Sequence, residues 1–198
     1  MKNIIFIRKS DNITTKISKI LVYCYLLSIF VIIPISQVLM NSLALHSFDS
    51  PKFQLHQVLT YPLFHAQEPT HLLWNLSFFI IFSSQLENMI SKTNYLIMLV
   101  ISIVVNVILI NVLFVLQGDD SLVGSSGFVA TIVTVFLFFS NDNKLKFLSV
   151  VFIFDTLISL KPSPELNFTA VGHFYGIIGG LVFIGYYKLN NLLMKKSV

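Results

Sequence analysis

The stretch TNYLIMLVISIVVNVILINVLFVLQG, Thr93–Gly118, runs from Lys92 to Asp119 without one charged side chain. A spanning helix needs about 20 predominantly apolar residues, so this stretch can cross a bilayer. Working outward, charged residues bound five more windows: Ile20–Met40, Thr70–Leu86, Ser121–Asn141, Phe147–Leu160 and Leu166–Tyr187. The Phe147–Leu160 window carries Asp155 and is short. It is expected to span by borrowing residues at both ends or by sitting in a thinned bilayer. The first window is too long for a signal peptide and is read as a retained first helix, kinked at Pro34.

Composition agrees. Of 198 residues, 55% are apolar and only 11% charged, with a mean hydropathy of +0.81. Soluble domains carry about 25% charged residues. The deficit excludes an ordinary cytosolic globule and a disordered chain, and points to lipid as the covering solvent. The net charge of +4 comes from scattered basic residues, with no phosphate-binding stripe, so no nucleic-acid partner is expected. The single cysteine, Cys24, excludes an internal disulfide and a cysteine-based metal cage.

The expected fold is therefore an all-α polytopic membrane protein with six transmembrane helices. Residues 1–19 form a cytoplasmic segment, 20–190 the membrane domain and 191–198 a cytoplasmic tail. Six spans place both termini on one side. That side holds Lys2, Arg8, Lys9, Lys16, Lys19, Lys92, Lys144, Lys146, Lys188, Lys195 and Lys196; the other holds only Lys52 and Lys161. The positive-inside rule makes the first side cytoplasmic. The segment from Asn41 to Thr70, with His46, His56 and His65, becomes the main external loop.

Polar side chains inside spans are costly and commonly functional. In this topology His71 and Asn75 lie at the outer end of the second helix, Ser126 at that of the fourth and His173 at that of the sixth. A serine becomes a useful nucleophile when a base takes its proton, and His173 is the candidate base. His71 and Asn75, four residues apart, share a helical face. With the Ser126 amide at a helix N-terminus they make three donors for a developing oxyanion. Gly172, Gly176 and Gly180 recur every fourth residue on the face toward which His173 leans, a spacing that lets helices approach closely. Gly124 and Gly127 flank the serine and permit a tight entry into its helix. Taken singly, each of these residues has a plain packing reading; their coincidence at one depth argues for a site. Asn106 and Asn111 are read as interhelical glue, and Asp155 as facing a polar cavity or a neighbouring helix.

The set His71-Leu-Leu-Trp-Asn75, Gly124-Ser-Ser-Gly127 and His173-Phe-Tyr-Gly176-Ile-Ile-Gly-Gly180 resembles the rhomboid family of intramembrane serine proteases, over about Phe53 to Tyr187. The resemblance implies a six-helix rhomboid-like bundle that hydrolyses peptide bonds near the outer membrane face. It implies Ser126 as nucleophile, His173 as general base, and His71, Asn75 and the Ser126 amide as oxyanion donors. Substrates would be single-span or other membrane proteins, met within the lipid bilayer, with helix five and the loop Lys161–Asn167 near their entrance. Many members carry an aromatic residue four positions after the serine, packing on the base. Ala130 stands there, which leaves imidazole orientation to Phe128 or Tyr175. The expected location is a bacterial cytoplasmic membrane.

Neither a carboxylate–histidine cluster with metal-ligand spacing nor a phosphate loop is present, so no metal or cofactor is expected. A catalytically inactive relative acting as chaperone or adaptor is weighed against the protease, but both Ser126 and His173 are present. A small transporter is disfavoured by the site's position near one face and by the lack of internal repeats.

Overall fold

The computed structural model describes residues 13–27, 41–64, 69–117, 121–160 and 168–196. In chain order these form α1 (Ile13–Leu27), β1 (Leu45–His46), α2 (Gln57–Thr60), α3 (Pro69–Met89), α4 (Lys92–Gln117), β2 (Ser121–Leu122), α5 (Ser126–Phe139), α6 (Asn143–Ser159) and α7 (Phe168–Lys196). Pro34, His65 and the loop 161–167 lie outside the described residues.

The core is a helical bundle centred on α5. Every residue from Val129 to Phe136 is buried, so this helix has no outer face along its middle. It packs on α7, α3 and α6. Its ring of neighbours supplies Phe79 and Phe82 from α3, Tyr95 and Met98 from α4, and Phe183 from α7, none of them accessible. α4 is two-faced. Leu96, Val100, Val104, Ile108 and Val112 are exposed at four-residue intervals, a stripe suited to lipid. Two helices are long and apolar enough to cross a membrane by themselves, Lys92–Leu116 with hydropathy 3.0 and Ala170–Met194 with 1.3.

Helix ends depart from the apolar windows for identifiable reasons. α1 starts at Ile13, ahead of its window, because Glu87 of α3 caps it. The Glu87 carboxylate accepts from the Ile13 amide (2.9 Å), the Thr14 amide (3.1 Å) and the Thr14 hydroxyl (2.8 Å). Thr14 also shares a hydrogen bond with Ser83 (2.9 Å), which in turn bonds the Tyr95 hydroxyl. This polar chain ties α1, α3 and α4 together. α6 starts at Asn143, ahead of its window, because the Asp142 carboxylate caps the Lys144 and Leu145 amides. The helix is extended at this end only and stops at Ser159. α5 is shorter than its window: Ser121 and Leu122 are strand, paired antiparallel with His46 and Leu45.

The external loop is a folded unit. Gln57 is fully buried and organises it, donating to the carbonyls of Lys52 (3.0 Å) and Ser42 (3.3 Å) and accepting from the amides of His46 (3.3 Å) and Gln54 (3.2 Å). Leu45 and Tyr61 pack against Val107, Ile110 and Phe114 of α4. Asn111 pins the same loop, its Oδ1 accepting from the Phe48 amide (2.6 Å), so it serves the loop and not a second helix.

The Glu87 cap yields a stability prediction. Hydrogen bonds to a charged acceptor contribute about 1.5–3 kcal/mol each, and a lost N-cap costs about 1 kcal/mol. Glu87→Ala should lower the unfolding free energy by about 2–3 kcal/mol in mild detergent, with Glu87→Gln intermediate. Thermal unfolding of the two variants that matches wild type would remove the cap from the account of α1.

Candidate active site

The site forms where the folded loop meets the entry to α5. The Gly124 amide donates to the Tyr61 carbonyl (2.8 Å), directly after β2 has paired with β1. Gly124 has φ +133°, a conformation L side chains rarely adopt, so glycine is required at this turn. The turn delivers Ser126 as the first residue of α5, where amides are not used by the helix itself.

Ser126 is buried and borders a cavity of about 50 Å³. Tyr61, His71, Asn106, Gly124, Gly127 and Gly172 contribute to the same wall. Loop, α3, α4, α5 and α7 thus meet at one small polar space. Burial holds the Tyr61 phenol well above its ordinary titration range, so it stays neutral there. Asn75 and His173 do not line this cavity. Asn75 is buried one turn along α3 from His71, and its Nδ2 has no hydrogen-bond partner. The His173 Nε2 is likewise buried without a partner, so the expected hydrogen bond from Ser126 to His173 is not made in this structure. The serine nonetheless lies against the same turn of α7: a Cβ built on Gly172, the residue before His173, would stand 3.8 Å from Ser126 Oγ.

Small residues set the approach of α5 to α7. A Cβ on Gly176 would overlap the Gly127 carbonyl oxygen and stand 2.7 Å from the Ala130 Cβ. A Cβ on Gly180 would stand 2.7 Å from the Thr134 Cβ. A Cβ on Gly127 would meet the Asn106 side chain and lie 3.0 Å from the Gly172 carbonyl oxygen. Gly185 has nothing within 4 Å. Thr131, which sequence reading passed over, clasps the contact. Its hydroxyl bonds the Gly176 carbonyl (2.9 Å) and itself accepts from Ser102 of α4 (2.8 Å). Mid-span threonines are common enough that only the fold singles this one out.

Three further placements differ from expectation or add to it. Asn106 is more than glue: its Nδ2 donates to the Ser102 carbonyl (2.8 Å), while its buried Oδ1 has no partner and faces the Gly127 side of the cavity. Asp155 is exposed on α6; it is not enclosed in a polar cavity or a helix contact. The ring beside the His173 imidazole belongs to Phe152 of α6, with centroids 5.2 Å apart. Phe128 packs into the main core, and Tyr175 packs against the cluster under the external loop. The periodicity of one helix carries no information about a partner on another.

An all-helical bundle with buried polar groups gathered at one helix entry is the architecture of an integral membrane protein with an internal site. The Rhomboid domain family model matches residues 52–190, and the chain belongs to the rhomboid family, whose members are integral membrane proteins and generally serine intramembrane proteases. No curated protein matches the chain significantly.

The glycine contact is testable through stability. Inserting side-chain atoms into a packed contact costs about 1–3 kcal/mol. Gly176→Val should destabilise by at least that amount, since its first carbon already meets backbone, whereas Gly185→Val should stay close to wild type. Equal melting temperatures for the two variants would show that α5 and α7 do not depend on the contact.

Proposed function

We propose that the chain is a six-span intramembrane serine endopeptidase that cleaves membrane-protein substrates near the outer membrane face. Ser126 is the nucleophile and His173 the general base. The observation that carries this reading is the position of Ser126: at the first turn of α5, against α7 one residue from His173, on a cavity shared with His71.

In the proposed reaction Ser126 Oγ attacks the scissile carbonyl while His173 takes its proton. The oxyanion that forms is met by the Ser126 amide, His71 and Asn75. The buried, unpartnered Nδ2 of Asn75 supports this role, because a donor kept dry and unpaired is costly unless it gains an acceptor during the reaction. Collapse of the tetrahedral species breaks the C–N bond, and His173 returns the proton to the leaving amine. Water then attacks the acyl-enzyme, with His173 again as base. The hydrolytic water needs a polar route, and the cavity beside Ser126, with the free Oδ1 of Asn106, is suited to hold it.

The family's substrates lie in the bilayer, and the proposed substrates here are membrane proteins whose helices unwind at the outer end. The proposed orientation follows the lysine and arginine distribution, with both termini in the cytoplasm. A bacterial cytoplasmic membrane is the proposed location.

Co-expression with a panel of single-span membrane proteins tests the activity. Ser126→Ala should abolish cleavage and fluorophosphonate labelling while leaving the protein membrane-inserted; Ser125→Ala should keep substantial activity. Equal loss from both would overturn the assignment of the nucleophile. Because only the neutral imidazole accepts a proton, the single-turnover rate should rise with pH as His173 deprotonates and then level off. A rate constant independent of pH from acid to neutral conditions would exclude His173 as base.

A further inference from the structure

The reading of His173 as base leaves open what holds its ring. α7 supplies the backbone, but the Nε2 has no hydrogen bond and Ala130 of α5 offers only a methyl group. The aromatic contact comes from α6. The Phe152 ring lies 5.2 Å from the imidazole, tilted by 39°. Phe152 is itself fixed from behind by Phe78 of α3 (5.3 Å), which packs on Phe82 (5.6 Å), which meets Phe136 of α5 edge-on (5.0 Å). The imidazole therefore ends a file of four phenylalanine rings anchored in the core.

We propose that Phe152 is the positioning residue for His173, fixing the imidazole plane from α6 and stabilising the imidazolium that forms when the serine proton arrives. The inference rests on the proposed role of His173. Its physical basis is twofold. Offset and tilted ring pairs have preferred geometries, so a neighbouring ring restricts rotation of the imidazole about its side-chain bonds. The face of an aromatic ring also attracts a cation within about 6 Å of its centroid, an attraction that appears only once His173 is protonated. An interaction stronger in the charged state than in the resting state lowers the barrier instead of merely tightening the ground state.

The rest of α6 makes this dependence more acute. Its fully buried side chains are Ser149 and Thr156, and both donate to carbonyls of their own helix, those of Leu145 (3.0 Å) and Phe152 (3.0 Å). Among the described residues no side-chain hydrogen bond joins α6 to another helix. Phe147, Phe154, Leu157 and Ile158 are exposed. α6 is thus held largely by apolar contacts, and Phe152 converts its seating into the orientation of the base.

The test uses the full-length protein in detergent micelles and follows fluorophosphonate labelling of Ser126, kcat and KM on a cleaved substrate, and Tm. Phe152→Leu keeps apolar bulk but removes the ring; Phe152→Tyr keeps the ring; Phe147→Leu, on the exposed face, is the control. Phe152→Leu should lower labelling rate and kcat by about 10–100-fold, the scale of a small misplacement of a reacting group, with KM little changed. Phe152→Tyr should restore both rates at a Tm matching that of Phe152→Leu, and Phe147→Leu should behave as wild type. Equal rates for Phe152→Leu and wild type, or equal losses for Phe152→Leu and Phe152→Tyr, would overturn the inference. Failure of the wild type to label, or wild-type labelling by His173→Ala, would overturn the serine–histidine reading and this inference with it.

Discussion

Everything near the candidate site depends on how closely α5 and α7 can lie. The contact is backbone against backbone: Gly176 faces the Gly127 carbonyl, and Gly180 faces Thr134, with no room for a methyl group at either. In lipid the gain from helix association is van der Waals contact and interhelical hydrogen bonding, since burying apolar surface from an apolar solvent gains little. Close approach serves both. It brings α5, apolar along its whole middle, into full contact with its neighbours, and it lets Thr131 reach the Gly176 carbonyl and Ser102 at once. Ser126 sits one turn above this clasp and His173 one turn above Gly176, so their separation is set by the same contact.

The second constraint is the external loop. Gln57 satisfies the loop's internal amides and carbonyls, Asn111 fastens it to α4, and the β1–β2 pair with the Gly124–Tyr61 hydrogen bond joins it to the approach of α5. The turn at Gly124 therefore does not hang free before the helix. Ser126 is positioned from two directions, by the glycine contact below it and by a hydrogen-bonded turn above it. Side chains held this way are suited to chemistry that tolerates little displacement.

Much of this was legible in the sequence, and the limits have physical causes. The bodies of α3, α4 and α7 follow the charge-free windows because a charged group inside a span is expensive, so charges mark where lipid gives way to water. The ends were less legible. Glu87 extends α1, Asp142 extends α6, and β2 removes the first residues from the α5 window, each through a partner that no window contains. The glycine stripe could be read because its four-residue period repeats on one helix. Thr131, Phe152 and Gln57 could not, since their partners are set by tertiary packing and leave no period behind. The polar roles of Asn106 and Asn111 were readable only as a class: one borders the cavity and the other holds the loop. Ala130 signalled that a ring was missing from α5, without indicating that α6 would provide one.

The length of α5 links these constraints. Its 14 residues extend for about 21 Å, less than the roughly 30 Å of a bilayer core. A helix that short leaves irregular backbone at membrane depth beyond at least one end, and lipid tolerates such backbone only where protein buries and pairs it. At the Ser126 end that requirement is met by β1, by the Tyr61 carbonyl and by the apolar cluster of Leu45, Tyr61, Val107, Ile110 and Phe114. Covering the short helix with a folded loop leaves a polar pocket between them, because the turn, the helix N-terminus and Asn106 all present hydrogen-bonding groups to the same small space. A full-length central helix would close that space with its own first turn. The shortening of α5 is thus what makes room for water and a peptide carbonyl beside Ser126, and the loop is what keeps that room compatible with the bilayer.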